Sequence, residues 1–349
     1  MINDEQRKMI QQEVLTALGS CPPLDMIQDS GEIIRFDERE KGSGNKNCWL
    51  CVYPYTRRLY WTRGNNRLRE NNWGHASETG ESKTWTPEEW REFKQQEQER
   101  KEKKEKELQE NLKKLREWFK SLPKYGEFYA GSRYHHSYIE RKGLTSSLKL
   151  WEMARIYKED AFFIFDTEGR RGLDDLYNQP WYRKSPYLVF PILGASGLIE
   201  SVQTIDAWKN DKKFVKGLPL AGRFYPLFNA DSATDKIFAC EGFATGLSIF
   251  EATNRLTVVC LNCGNLTKGI QGATTYLLNS WRLKETPEEF YKRFIIVADN
   301  DLSKAGEEGA VQACKELGCS YVLIPEVGMD ANDYHHKYGK KQLSKILKF

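Results

Sequence analysis

The hydrophobic pattern changes character along this chain. From Pro186 onward, short continuous apolar runs alternate with segments of helical spacing. The runs are Ile237–Cys240, 256–261, Phe294–Ala298 and 321–325; the helical segments begin at Ala244, near 269 and at Ala305. A continuous apolar run between helices predicts a strand buried on both faces of a parallel sheet. Repeated strand–helix alternation predicts a doubly wound α/β sheet. Just upstream, YLVFPIL, a Gly194–Gly197 turn and LIESVQTIDAW predict a hairpin. From Asp333 to Phe349 the pattern predicts a basic helix.

The first half reads differently. Residues 1 to about 25 predict a short helix that stops at Cys21-Pro22-Pro23. Between Ile33 and Trp73, short β-like runs rich in aromatic and β-branched residues are separated by Gly, Ser and Asn, which predicts a small sheet. Thr86-Pro87 is a helix start. Glu88 to about Ser121 is almost all Lys, Glu, Gln and Arg, which predicts a solvated spacer helix braced by mixed charges. Residues 122 to about 185 predict a second, mostly helical module. The expected organisation is a small α+β module over 1–85, a charged helical linker over 86–121, a subdomain over 122–235 and an α/β domain over 236–349.

Composition narrows the class. The chain has 349 residues, 40% hydrophobic, with a net charge of +4. That suffices for real cores, but it does not by itself imply a polyanionic partner. No apolar run approaches the roughly 20 residues of a membrane span, and the polar start MINDEQRKMIQQEV is unlike a signal peptide. The eight cysteines show no disulfide framework, so a reducing, cytoplasmic setting is expected.

The chemistry concentrates at strand ends. Glu241-Gly242 closes one apolar run and Asp299-Asn300-Asp301 closes another. Parallel sheets place functional groups at the carboxyl ends of their strands. Glu241, Asp299 and Asp301 should therefore meet at one edge, where three oxygen acids suit Mg²⁺ or Mn²⁺. The competing reading is that each acid merely caps the helix after it. Gly242 would let a phosphate approach the backbone, at the N-terminus of a helix.

Cations lie upstream. Lys213, Lys216 and Arg223, among glycines and a proline, are candidates for a triphosphate and a template backbone, against the alternative of an exposed basic turn. Arg57, Arg58 and Trp61 alternate cations with rings, as a single-stranded nucleic-acid site requires; a solvated basic sheet face reads equally well. Cys48, Cys51 and His75 are the nearest approach to a zinc site. Residues i and i+3 of a strand face opposite ways, so zinc is not expected. No G-x-x-x-x-G-K-S/T loop occurs.

Taken together, ACEGFATGLSI and IVADND resemble the Toprim domain of primases, topoisomerases and related nucleases. The wider order VFPILGASGLIESVQTID, KKFVKGLPLAGRFYPL, CGNLTKGI and IPEVGMDANDY, with HHSYIERKGL upstream, resembles Toprim primases of conjugative plasmids and satellite phages. The resemblance covers about residues 133–335. It implies a DNA primase whose core joins 122–235 to the Toprim domain. Such an enzyme makes short RNA primers on single-stranded DNA from ribonucleoside triphosphates in a bacterial host; satellite-phage relatives commonly carry a fused helicase, and without a G-x-x-x-x-G-K-S/T loop a helicase is expected to act in trans here. It also implies Glu241 as general base and a third acidic stretch at Asp330, Asn332 and Asp333, which supplies a further metal ligand, Asp330, or orients the edge; a simple helix cap at Asn332 or Asp333 reads equally well. A metal-dependent nuclease on the same fold and a non-catalytic single-strand-binding replication protein are the alternatives.

Overall fold

The computed structural model describes residues 2–37, 48–53, 59–65, 70–76, 87–132, 135–157, 187–207, 212–215 and 217–348. They divide into two compact units, Met1–Lys104 and Glu105–Phe349.

The first unit pairs a helix with a sheet. α1 (Asp4–Leu18) starts at Asn3, whose side chain and that of Gln6 satisfy each other's backbone N–H groups. It stops at Gly19, in the left-handed conformation. Strands β1 (Ile33–Phe36), β2 (Cys48–Tyr53), β3 (Leu59–Asn65) and β4 (Glu70–Ala76) form an antiparallel meander in that order. Ile10 and Val14 of α1 share a core with Cys48, Leu50, Val52 and Trp61.

This overturns one expectation. Trp61 is 3% exposed and its indole N–H donates to Glu13, while Arg63 pairs with Glu13 at 2.6 Å. A ring buried on that inner face, its polar edge already bonded, has no free face for a base to stack on. Arg57 and Arg58 lie outside the described residues.

Helix α2 (Pro87–Ser121) runs for 35 residues through the charged stretch. Among the described residues no helix is long and apolar enough to cross a membrane. After Trp90 and Phe93 in its first turns, apolar residues return only from Leu108, and Leu112, Leu115 and Phe119 pack with Val189, Val202 and Leu218.

In the second unit, α3 (Tyr125–Tyr129), α4 (Ser137–Arg141) and α5 (Leu148–Met153) precede an antiparallel sheet. Its strands are β5 (Arg155–Tyr157), β6 (Tyr187–Leu193), β7 (Ile199–Asp206) and β8 (Lys212–Phe214), in that order. The predicted hairpin is β6–β7.

The second sheet carries the acids. Its order is β13 (Ser320–Leu323), β12 (Phe294–Ala298), β10 (Ala233–Cys240), β11 (Arg255–Val259) and β9 (Tyr225–Leu227). All neighbours are parallel except β9, which runs antiparallel on the β11 edge. Helices α6 (Phe243–Thr253), α7 (Leu266–Ser280), α8 (Pro287–Tyr291) and α9 (Ala305–Leu317) interleave with the strands; α10 (Ala331–Tyr338) and α11 (Lys340–Ile346) follow. Along β10, Ile237 and Ala239 enter one core while Phe238 and Cys240 enter the other. Both faces are buried, which is why this strand reads as an unbroken apolar run. The expected single helix at 333–349 is two, broken at Gly339, whose φ of 82° no helix residue adopts.

Candidate active site

Strand geometry brings two acids together. β10 pairs with β12 through Ile237–Phe294, Phe238–Ile295 and Ala239–Ile296, so Glu241 and Asp299 leave neighbouring parallel strands at the same edge. Gly306, in the first turn of α9, lies between them. A Cβ there would come within 3.2 Å of Glu241 Oε1 and 2.7 Å of the Asp299 carbonyl oxygen. Only a glycine lets the helix start come this close.

The environment keeps both carboxyls from ionising easily. Asp299 is pushed up to about 8, first by burial, then by Asp330, Glu241 and Asp301, with Lys212 opposing. Its Oδ1 is buried and accepts no hydrogen bond. Burial, then Asp301, raises Glu241, and the Cys263 backbone N–H holds it back.

Asp301 has a different occupation. It accepts from the Ser303 hydroxyl at 2.7 Å and from the Ala305 and Gly306 N–H groups at 3.3 Å. These bonds, the hydroxyl's first, hold it below the usual carboxylate range. The capping alternative is thus realised at Asp301. It is not realised at Asp299.

The third acidic stretch closes the edge. Asp330 caps α10 by accepting from the Asp333 N–H at 2.8 Å. The Lys142 ammonium, at the end of α4, lies 2.9 Å from Asp333 and 3.7 Å from Asp330. Asn332 turns inward: it is 1% exposed and donates to the Lys142 carbonyl and to Ser248, both at 2.9 Å. Sequence spacing grouped Asn332 with the acids, but as the second residue of α10 it faces the core. Just before α4, His135 Nδ1 lies 3.2 Å from the Tyr125 hydroxyl, and His136 is buried.

The cations are not the ones the sequence singled out. Lys212 senses Asp330, Asp299 and Asp333, and its ammonium sits 5.6 Å from the Tyr138 ring centre. Desolvation, then Lys142, lowers it. Lys213 is next along β8, so strand alternation turns it to the other face. Arg223 is committed to Glu200 through two bonds, at 2.9 and 2.8 Å, and to the Ala221 carbonyl. Lys216 lies outside the described residues. Lys142 was missed altogether; the available signal was a lone Lys-Gly after a short helix, which is weak. The Cys48 and Cys51 thiols are buried, and burial raises that of Cys51; of the His75 side chain nothing is described.

A divalent cation fits the chemistry of this edge. The donors are all oxygen, Asp330, Glu241 and Asp301 each raise Asp299, and the buried Asp299 Oδ1 lacks a partner. The acids share the edge without closing on a point: among the described residues no three His, Cys, Asp or Glu side chains are placed to hold a metal ion. The turn that holds Asp301 is one reason.

Comparison with known proteins agrees with the geometry over the α/β region. Residues 236–341 match the family described as the Toprim domain. Solved structures with a related arrangement include the DnaG primase catalytic domain bound to single-stranded DNA, with 14% identity, a TM-score of 0.43, and 70% of this chain and 81% of that one covered. A second is the Aquifex aeolicus primase with its zinc-binding and RNA polymerase domains, at 13% identity, TM-score 0.43, covering 99% and 85%. A third is the RNA polymerase domain of Mycobacterium tuberculosis DnaG, at 16%, 0.39, 61% and 76%. The parallel sheet, its acidic edge and the family match agree, and residues 236–341 are a Toprim domain.

Proposed function

We propose that this chain is a DNA-templated RNA primase, joining ribonucleotides at the edge formed by Glu241 and Asp299. The observation that carries the reading is the pair itself: two carboxyls from adjacent strand ends, one with a buried oxygen that accepts no bond. Asp299, Glu241, Asp301 and Asp330 would hold Mg²⁺ or Mn²⁺. The metal, when bound, neutralises charge on the phosphates and lowers the pKa of the attacking hydroxyl.

The chain's own groups do the rest. Glu241, raised by burial, is poised to accept the proton of an attacking 3′-hydroxyl nearer neutral pH than an ordinary carboxylate. Lys212 and Lys142 bring positive charge to the acids' flank, where a triphosphate would need it. Gly242, at the N-terminus of α6, leaves room for a phosphate: among the described residues other than its chain neighbours, the nearest atom to a Cβ built there is Thr245 Oγ1, at 3.7 Å. A helicase acting in trans would open the strands ahead of this edge.

The test supplies single-stranded DNA, labelled ribonucleoside triphosphates and Mg²⁺. Labelled oligomers that disappear in Asp299→Ala support the primase. Shortening of the template without incorporation would favour a Toprim nuclease instead. Tight binding with neither activity would leave a replication protein that only binds single strands.

A further inference from the structure

The short helix α11 and the residues around it hold an unbalanced charge that the acidic edge does not use. Residues 339–349 contain four lysines and no Asp or Glu. Those four charges equal in size the net +4 of the whole chain. Lys340, Lys341, Lys345 and Lys348 are all exposed. Among the described residues none of them is in an ion pair, whereas Lys337 nearby is paired with Glu326 at 2.8 Å.

The helix separates its two faces sharply. Leu343 and Leu347 are buried, and with Ile346 they pack into the core that includes Leu247 of α6. Lys341 and Lys345 fall on the opposite face at helical spacing, and Lys340 is exposed at the helix's first position. Lys341 and Lys345 are four apart, a like-charge arrangement that costs an isolated helix a few tenths of a kcal/mol. The long helix α2 avoids this by interleaving Glu with Lys, as in Gln-Glu-Arg-Lys-Glu-Lys-Lys-Glu-Lys-Glu over 98–107. An uncompensated lysine face is stabilised by a bound polyanion.

We infer that Lys340, Lys341, Lys345 and Lys348 form a docking surface for the phosphate backbone of single-stranded nucleic acid. The inference rests on the proposed nucleic-acid function of the acidic edge, and it adds a second contact region to it. α10 connects the two: Asp330 caps its first turn and Lys340 follows its end. Eight residues at 1.5 Å each put about 12 Å between them along the helix, so one strand can touch both. An anionic membrane is the less suitable partner. A helix that lies in a bilayer surface inserts a free apolar face, and here that face is already buried against the protein.

The experiment compares the full chain with a variant carrying Lys340→Gln, Lys341→Gln, Lys345→Gln and Lys348→Gln. Binding of fluorescein-labelled oligo-dT is titrated over a range of salt. Each phosphate contact on a single strand contributes about 0.7 to the slope of log K against log salt. The variant should bind roughly 10–100-fold more weakly near physiological salt, with a slope shallower by up to about 3. A second variant with all four changed to Arg should bind as the parent does. Matching melting curves show that both fold. Equal affinity and slope in parent and Gln variant overturn the docking surface and leave the reading of the acidic edge intact. No binding by the parent overturns both. Lysine-dependent sedimentation with phosphatidylserine vesicles, alongside unchanged DNA binding, overturns it in favour of a membrane surface.

Discussion

Glu241 and Asp299 stand on either side of Gly306, and the space left for a side chain there is smaller than a methyl group. A Cβ would sit 2.7 Å from the Asp299 carbonyl oxygen and 3.3 Å from its Cβ. Backbone on one side and the helix start on the other cannot yield independently. Gly306→Ala should therefore part the two strand ends. Overpacking of this kind costs roughly 1–3 kcal/mol, and primer synthesis should fall further than stability alone explains. Gly242→Ala is the control, because its φ of −108° suits any residue and nothing lies closer than 3.7 Å. It should melt like the parent and lose affinity for triphosphate only. Thermal melts and initial rates on both variants test the contrast.

Asp299 makes stability depend on pH. Its carboxyl ionises near 8 in the folded protein but near 4 in an unfolded chain. The folded state thus holds a proton that the unfolded state has lost, and stability falls as pH rises from about 4 to about 8. Asp299→Asn removes that slope. At pH 8 it should be more stable than the parent, on the order of 2 kcal/mol once solvent screening is allowed for. Its activity should drop by about 10²–10³-fold. Mg²⁺ should stabilise the parent at pH 8 and leave the Asn variant nearly unmoved. A variant that melts lower than the parent at pH 8 would contradict this account.

Asp301 separates its two possible roles by the choice of substitution. Asn keeps Oδ1 as acceptor for the Ser303 hydroxyl and the Ala305 N–H and loses only the Oδ2 acceptor of the Gly306 N–H, a long bond at 3.3 Å; Ala loses all three. If Asp301 only shapes the turn, Asp301→Asn should retain activity and only Asp301→Ala should lose it. The metal-ligand role predicts instead that both lose activity while Asp301→Asn melts as the parent does. Rates measured across a Mg²⁺ titration distinguish the outcomes.

The parallel sheet was legible because both of its faces are buried: β10 and β12 read as unbroken apolar runs, and between helices a run of that length folds as a fully covered strand. Glu241, Asp299 and Asp301 were legible because they end those runs. Side-chain direction was not legible. Lys212 and Lys213 are adjacent in a basic segment, and only pairing of β8 with β7 decides which one reaches the acids. Arg223 looked free because Glu200, its partner, lies 23 residues away on the hairpin. Lys142 reaches Asp333 across 191 residues, a distance no local pattern spans. Trp61 was misread for a related reason. Rings and cations alternate along β3, but the alternation that decides burial is set by α1 packing on one face of the sheet.

Trp61 accordingly belongs to stability. Trp61→Ala removes a buried ring, a change that costs about 3–5 kcal/mol in a packed core. Trp61→Phe keeps most of the volume and loses only the bond to Glu13. The Phe variant should bind single-stranded DNA with the parent's affinity and melt a few degrees lower. Weaker binding without a change in melting would restore the stacking role to this ring.

Lys212 favours the ionised form of Asp299. Its ammonium is the cation that lowers the Asp299 carboxyl, against burial and three acids that raise it. Lys212→Met removes the opposing charge, so Asp299 should hold its proton to a still higher pH. Activity that needs the ionised carboxylate should then rise later on the pH axis: the acid limb of the rate profile moves to higher pH, and the rate at pH 7 falls. Lys212→Arg should restore the limb, since it returns the charge. A structural role alone would lower the whole profile without moving its limb. Profiles of kcat/KM against pH for the three proteins, at saturating Mg²⁺ and again at limiting Mg²⁺, separate the two. At limiting Mg²⁺ the Met variant should show the larger displacement, because the proton and the metal compete for the same oxygen.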